Sequence, residues 1–195
     1  MSEPALSQVP AGVPIGAVSI RRLGPADLPQ VTAHFLRLSS RSRRLRFGGV
    51  VSDTFLEQYA SAIFEAVSIV FGAEVDGVLR GVTEIRGSIT QWTQHAEAAI
   101  SIEDAWQDRG IGDALLKRII RAARNRGIAQ LYMVCLHENR KMKHLAHKNE
   151  AILDYSVDSV EGRIVDLHPS FRSLFEEWYD EASLYLSDMV RAERG

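Results

Sequence analysis

The sequence predicts a mixed α/β (α+β) domain, a central sheet flanked by helices, and three segments carry that expectation. Val67, Ile69, Phe71 and Ala73 alternate with smaller or polar residues as far as Asp76-Gly77, and Val78–Arg86 returns, the pattern of a hairpin. Over residues 112–126 the apolar positions Leu115, Leu116, Ile119, Ile120 and Ala123 recur at helical spacing. Residues 131–136 are then nearly continuously apolar, as expected of a strand covered on both faces.

The other elements follow in chain order. Residues 1–17 hold Pro4, Pro10 and Pro14 with Glu3 as their one charge, and are expected to form an irregular N-terminal arm. Residues 18–23 alternate as a strand, Gly24-Pro25 breaks it, and Asp27 is placed to cap a helix over 28–38. Arg41, Arg43, Arg44 and Arg46 crowd the next segment, which reads as a solvated face or as a surface for a substrate or partner. Ser52-Asp53 opens a short helix over 54–62, with Phe55, Tyr59 and Ile63 on one side. After the hairpin, a polar connection (87–94) leads to a strand over 96–102.

The long helix carries Arg121, Arg124 and Arg126 in its last turns, where cations suit the dipole, and Gly127 stops it. Arg140–Lys148 reads as a further helix with Met142 and Leu145 facing inward. Two late strands, 152–157 and 163–167, are expected around a turn at Glu161-Gly162. Strands and helices do not alternate regularly, so the sheet is mixed. After His168-Pro169 an amphipathic stretch with Phe171, Leu174, Phe175, Trp178 and Leu186 is expected to form a C-terminal helix over 169–195. Its aromatics belong in the core or in the interface of a homodimer. The domain proper is 18–168.

Composition excludes several classes. The 195 residues favour one domain; 23 Lys and Arg against 25 Asp and Glu leave a net charge of −2. With 46% hydrophobic and 25% charged residues, the chain is neither disordered nor a basic nucleic-acid coat. No apolar run reaches the ~18 residues that span a bilayer, since residues 60–75 are broken by Glu65 and Glu74. Cys135 has no second cysteine to pair with, and residues 1–17 lack the basic-then-apolar order of a signal peptide. A reducing, cytoplasmic setting is expected, with neither membrane nor nucleic acid as partner.

The most informative segment is Gln107-Asp108-Arg109-Gly110-Ile111-Gly112, between a strand and the long helix. Two glycines let backbone approach a ligand, and free amides at a helix start suit a phosphate or pyrophosphate. From Glu103 to Lys148, ten Lys and Arg oppose five Asp and Glu, a local +5 that attracts a polyanion. A Walker loop is excluded because no Gly-Lys-Ser/Thr occurs, and Leu115 stands where a dinucleotide fingerprint needs a third small residue. A plain strand-to-helix turn remains the alternative. A nucleotide- or nucleic-acid-binding protein using the arginine-rich segments is a further alternative, opposed by sparse aromatics and the acidic total charge. His137, His144 and His147 lack a Cys or carboxylate cluster at zinc spacing, so no metal is expected; Cys135 reads as a packed small hydrophobe.

Residues 100–112, Ile-Ser-Ile-Glu-Asp-Ala-Trp-Gln-Asp-Arg-Gly-Ile-Gly, resemble the acetyl-CoA signature of the GNAT superfamily of N-acetyltransferases, a strand running through Arg/Gln-x-x-Gly-x-Gly/Ala into a helix. Asn139-Arg140-Lys141-Met142-Lys143-His144-Leu145-Ala146-His147-Lys148 is similar to that family's Asn-x-x-Met/Ala-x-x-Leu-x-x-Lys segment. Residues 39–47 look like the arginine-rich turn of the bacterial protein-lysine acetyltransferase branch. The resemblance covers about residues 18–167.

It implies a mostly antiparallel sheet with two strands splayed around acetyl-CoA as co-substrate. Ile100 and Ile102 would line the pantetheine arm, Gln107, Asp108, Arg109, Gly110, Ile111 and Gly112 would present amides to the pyrophosphate, and Asn139 would contact the pantetheine. An amide near Ser101 or Ile102 would stabilise the oxyanion. The implied reaction is direct attack of an acceptor amine, a protein lysine or a small molecule, on the thioester. Glu97 is the first candidate for the base that deprotonates the amine, and Glu84 the reserve. Two positions depart from the family pattern: Ala146 replaces the usual tyrosine acid, and Glu150-Ala151 replaces Gly-Phe. A non-catalytic acyl-CoA-binding or sensing module is therefore the alternative function.

Overall fold

The computed structural model describes residues 18–65, 68–86, 95–165, 167, 170, 173–177 and 179. β1 (Ser19–Leu23) runs into a 3-10 turn, Pro25–Asp27, and then α1 (Leu28–Arg37). Asp27 stands at the N-cap of α1, but its carboxylate turns back to accept from the Gly24 amide at 2.9 Å and from Arg21 at 2.7 Å. Pro29 has no N–H, so one of the donors that a cap would serve is missing from the first turn of α1.

The arginine-rich segment is itself a helix, α2 (Ser40–Phe47), started by Ser39 Oγ accepting from the Ser42 amide and closed by Gly48 at φ +77°. The solvated-face expectation holds for Arg41 and Arg44 only. Arg43 turns inward onto the carbonyls of Leu36 and Leu38 at 2.7 and 3.0 Å, which α1 leaves unpaired at its C-terminal end. α3 (Asp53–Glu65) completes the first helical layer.

The hairpin follows as β2 (Ser68–Val75) and β3 (Val78–Arg86), then β4 (His95–Ile102), α4 (Ile111–Asn125), β5 (Gln130–Leu136), α5 (Arg140–Lys148), β6 (Ile152–Tyr155) and β7 (Ser159–Ile164). Among the described residues these seven strands form one sheet in the order β1-β2-β3-β4-β5-β7-β6. Every neighbouring pair is antiparallel except β4 and β5. Ile111, Leu115, Leu116 and Ile119 of α4 bury one face against Phe71, Ile85 and Met133. Val31 and Phe35 of α1, with Leu56 and Ile63 of α3, bury the other against Val70, Leu79 and Val82. No helix among the described residues is long and apolar enough to cross a membrane.

Three expectations are corrected. β5 is covered on one face: Leu131 and Met133 are buried, but Val134 is 49% exposed, because α1 and α3 pack on β2 and β3 and do not extend over β5. Glu161 and Gly162 lie inside β7, opposite Val134 and Met133, and the chain reverses at 156–158, where Ser156 accepts and donates across to Ser159. β7 therefore starts at Ser159 instead of Arg163. Phe175 is exposed instead of sitting in the core. The segment 173–177 docks by polar contacts, Ser173 to Asn125 at 2.6 Å and Glu177 to Arg126 at 2.9 Å. Residues 1–17, the 87–94 connection, Phe171, Trp178 and Leu186 lie outside the described residues.

Gly162 is small because α5 presses on β7: a Cβ there would lie 3.2 Å from Ala146 Cβ and 3.3 Å from Leu153 Cδ2. Gly162→Val is expected to lower stability by about 1–3 kcal/mol through overpacking. The urea midpoint measures it, and an unchanged midpoint would mean that α5 can lift off without cost.

Candidate active site

The site begins where two strands part. β4 and β5 pair only at His95–Gln130, Ala96–Leu131 and Glu97–Tyr132. Beyond that fork β4 stays with β3 to Ile102, and β5 stays with β7 to Leu136. A cavity of about 560 Å³ opens between them, bounded by α2 on one side of the sheet and by α4 and α5 on the other.

Antiparallel alternation decides which backbone groups face the opening. The Glu103 amide donates to Arg80 at 3.0 Å, and Val82 stands opposite Ser101, so odd-numbered amides of β4 point at β3. The amides and carbonyls of Ile100 and Ile102 point into the cavity. The Ile102 carbonyl already accepts from Gln107 Nε2 at 3.0 Å. The Ser101 amide faces β3 and is turned away from the oxyanion position expected of it; Ser101 is still among the residues lining the cavity, and its hydroxyl bonds His34 Nε2 at 2.9 Å.

Below the fork a 3-10 turn, Asp104–Trp106, carries the chain to α4. Gly110, at φ +82°, is the N-cap of α4 and supplies no side-chain cap. The first intrahelical bond is Ala114 N–H to Gly110 at 3.1 Å, leaving the amides of Ile111, Gly112 and Asp113 for an anion. A Cβ on Gly112 would lie 3.2 Å from Ile102 Cδ1 and 3.5 Å from Leu145 Cδ2, both on cavity-lining side chains.

Electrostatics favour a polyanion at this end. Arg140, Lys141, His144 and Lys148 of α5 line the cavity, and Lys141 bridges Gln107 Oε1 at 2.9 Å and Asp108 at 2.6 Å. Burial raises the Asp113 pKa, but hydrogen bonds from Lys148, Asn149 and Lys117 outweigh it and hold the carboxyl at about 2. The arginines at the other end of α4 do not contribute to the cavity: Arg121 and Arg126 pair with Glu176 and Glu177.

The expected site residues divide. Ile100, Ser101, Ile102 and Gln107 line the cavity, as do Asp108, Gly110, Gly112 and Asn139. The Asn139 side chain also caps α5, accepting from Met142 N–H at 3.1 Å. Ile111 is buried in the core, and Arg109 lies over the Trp106 ring at 5.1 Å. Glu97 sits at the fork itself, paired across to Arg86 and Tyr132. Glu84 is 1% exposed; its Oε1 accepts from Arg46 at 2.6 Å and from the Tyr59 hydroxyl, with Arg86 at 3.3 Å. Among the described residues no group of three or more His, Cys, Asp or Glu is placed to hold a metal. Cys135 is buried, which pushes its thiol pKa up.

Sequence reasoning missed Leu38, Ser42 and Leu45, which close the α2 side of the cavity together with Arg46 of the arginine-rich segment. It also missed His34, fully buried between the Ser101 hydroxyl (2.9 Å) and Glu103 (3.4 Å). The signal available was a histidine on the apolar stripe Val31, His34, Phe35 and Leu38. Burial raises the Glu103 pKa, but His34, Arg37 and Arg80 more than offset it and bring the carboxyl to about 2. Burial lowers the His34 pKa beyond what Glu103 restores.

Both groups bind a proton more readily in the unfolded chain, so both make stability fall with pH on the acid side. The His34 share begins to disappear below pH ~6.5, and the Glu103 share, about 3 kcal/mol, below pH ~4.5. In Glu103→Gln the second decline should be absent from a plot of melting temperature against pH. A decline as steep as that of the parent protein would move the acid sensitivity to other carboxylates.

The family model described as the acetyltransferase (GNAT) family matches residues 36–150. An acetyltransferase of Pseudomonas aeruginosa is 32% identical over 133 residues, covering 66% of this chain and 71% of that protein. The crystal structure of the GNAT domain of S. lividans PAT superposes with a TM-score of 0.64 at 21% identity, covering 75% of this chain and 89% of that one. The Salmonella typhimurium protein yncA, whose structure is described with its cofactor acetyl-CoA, superposes with a TM-score of 0.60 at 17% identity, covering 80% and 96%.

Proposed function

The chain belongs to the acetyltransferase (GNAT) family, and on that premise we propose that the fork between β4 and β5 holds acetyl-CoA for transfer to an amine. The observation that carries this reading is one cavity that joins the two kinds of surface such a molecule needs. It has the uncapped amides of Ile111 to Asp113 and the cations of α5 for an anion, and beside them the apolar side chains of Ile102 and Ile100. Diphosphate is held where helix amides converge, and the pantetheine arm continues β4 as a strand would, pairing with the open-edge groups of Ile100 and Ile102. The thioester end then reaches toward Glu97, and an Ile100 or Ile102 amide receives the developing oxyanion.

A lysine-like amine is mostly protonated at neutral pH. Glu97, at the fork on the face that α1 and α3 leave open, draws in the ammonium form and removes its proton through water. Glu84 is already committed to Arg46, Tyr59 and Arg86 and serves the fold. In Glu97→Gln, turnover should fall most at low pH, while calorimetric affinity for acetyl-CoA stays within about twofold. An unaltered rate across the pH range would assign the ammonium's proton elsewhere.

One observation favours a second reading. Ala146 is buried against β7, with no room for a tyrosine, so the usual proton donor to the leaving thiolate is missing. A non-catalytic sensing module would bind acetyl-CoA and release no thiol. Thiol release with a panel of small amines and protein lysines separates the two. Turnover with any acceptor supports the transferase, and binding with none supports the sensor.

A further inference from the structure

The acceptor nitrogen must lose a second proton once it is bonded to carbon, and the thiolate must gain one. We infer that Ser101, backed by His34 and Glu103, carries that second proton from nitrogen to sulfur, so that one relay stands in for the missing tyrosine acid. This inference rests on the acetyl-CoA reading of the cavity.

The geometry is that of a built chain. Ser101 is among the residues lining the cavity, between Ile100 and Ile102, and its Oγ lies 2.9 Å from His34 Nε2. His34 Nδ1 lies 3.4 Å from Glu103 Oε1. Glu103 only accepts, and it is anchored by Arg37 at 2.7 Å and Arg80 at 2.8 Å. A carboxylate at Nδ1 selects the tautomer with its proton there, which leaves Nε2 as an acceptor and orients the Ser101 hydroxyl proton toward it.

The charged groups facing His34 are Arg37 on its own helix, Arg46 from α2 and Glu103 after β4, with Arg80 of β3 behind Glu103. Burial, then the two arginines, keep the ring neutral at pH 7, and Glu103 stabilises it when a proton arrives.

The step balances within the site. As the amine forms the C–N bond, its proton passes to Ser101 Oγ while the Ser101 proton passes to His34 Nε2. When the C–S bond breaks, His34 returns its proton to Ser101, whose own proton goes to sulfur. Amide and coenzyme A thiol leave, and His34 is neutral again. Ser101 touches the reacting atoms and is the catalytic residue; His34 and Glu103 act through it and are positioning residues.

The test uses hydroxylamine, which is mostly neutral at pH 7, with thiol release per neutral hydroxylamine followed from pH 5 to 9 and acetyl-CoA binding measured by calorimetry. Ser101→Ala should bind acetyl-CoA within about twofold of the parent, lose about 100-fold or more in kcat, and lose the acid limb of the pH profile. Ser101→Thr, which keeps the hydroxyl, should recover much of the rate and the limb. His34→Gln is the direct variant, but it removes a fully buried, hydrogen-bonded ring, so Ser101→Ala decides. Ser101→Ala with kcat within twofold and the limb intact would overturn the relay, as would a parent protein that binds acetyl-CoA yet releases no thiol to hydroxylamine. Absence of acetyl-CoA binding in the parent protein would instead overturn the reading of the cavity.

Discussion

Gly112→Glu is expected to reduce acetyl-CoA affinity by more than about 100-fold, with helix content and melting behaviour largely kept. The size follows from two losses that occur together. A carboxylate at the second position of α4 takes the helix-start amides that would hold the diphosphate, and it sets a fixed anion against an incoming one, each worth about 1–3 kcal/mol. The new Cβ, only 3.2 Å from Ile102 Cδ1, also pushes a wall of the cavity inward. The fold should survive because Glu suits a first helical turn, and the displaced atoms end flexible side chains beside open space. Calorimetry reads the affinity and circular dichroism the helices. Unchanged affinity would move the diphosphate away from α4.

Arg46→Met should cost about 3–5 kcal/mol, the range for stranding one member of a buried ion pair. Glu84 is 1% exposed, and its Oε2 has no partner among the described residues, so Oε1 holds the carboxylate alone. Losing the 2.6 Å bond from Arg46 leaves the Tyr59 hydroxyl and a more distant Arg86. For a chain of this length the melting temperature should drop by about 10 °C. Arg46→Met combined with Glu84→Gln should recover a large part of that loss, because the stranded charge goes with its partner. A double variant no better than Arg46→Met alone would show that the cost is lost packing over Phe47 and Tyr59, whose rings lie 4.8 and 5.3 Å from the guanidinium.

What the sequence shows of this fold divides by the range of the forces involved. The β2–β3 hairpin and α4 were legible because alternation, a turn dipeptide and a helical period are local signals. The glycine loop was legible for the same reason: Gly110 needs its positive φ, and a side chain on Gly112 would crowd the wall of the cavity. α2 was not read as a helix because its arginines hide any apolar period; one of them, Arg46, is held by Glu84, 38 residues further along. Glu161-Gly162 has the composition of a turn, yet Gly162 is small to admit α5, a contact no local pattern encodes. The His34 chain was invisible for a similar reason, its partners lying 67 and 69 residues away. Glu97 and Glu84 looked alike in sequence, and only cross-strand pairing separates a carboxylate at the fork from one locked under Arg46.

A crystal structure with coenzyme A at saturating concentration tests the central claim most directly. The diphosphate should lie within hydrogen-bond distance of the Ile111–Asp113 amides, with the pantetheine running along Ile100 and Ile102 toward Glu97. Coenzyme A bound elsewhere, or a fork left unfilled, would contradict it.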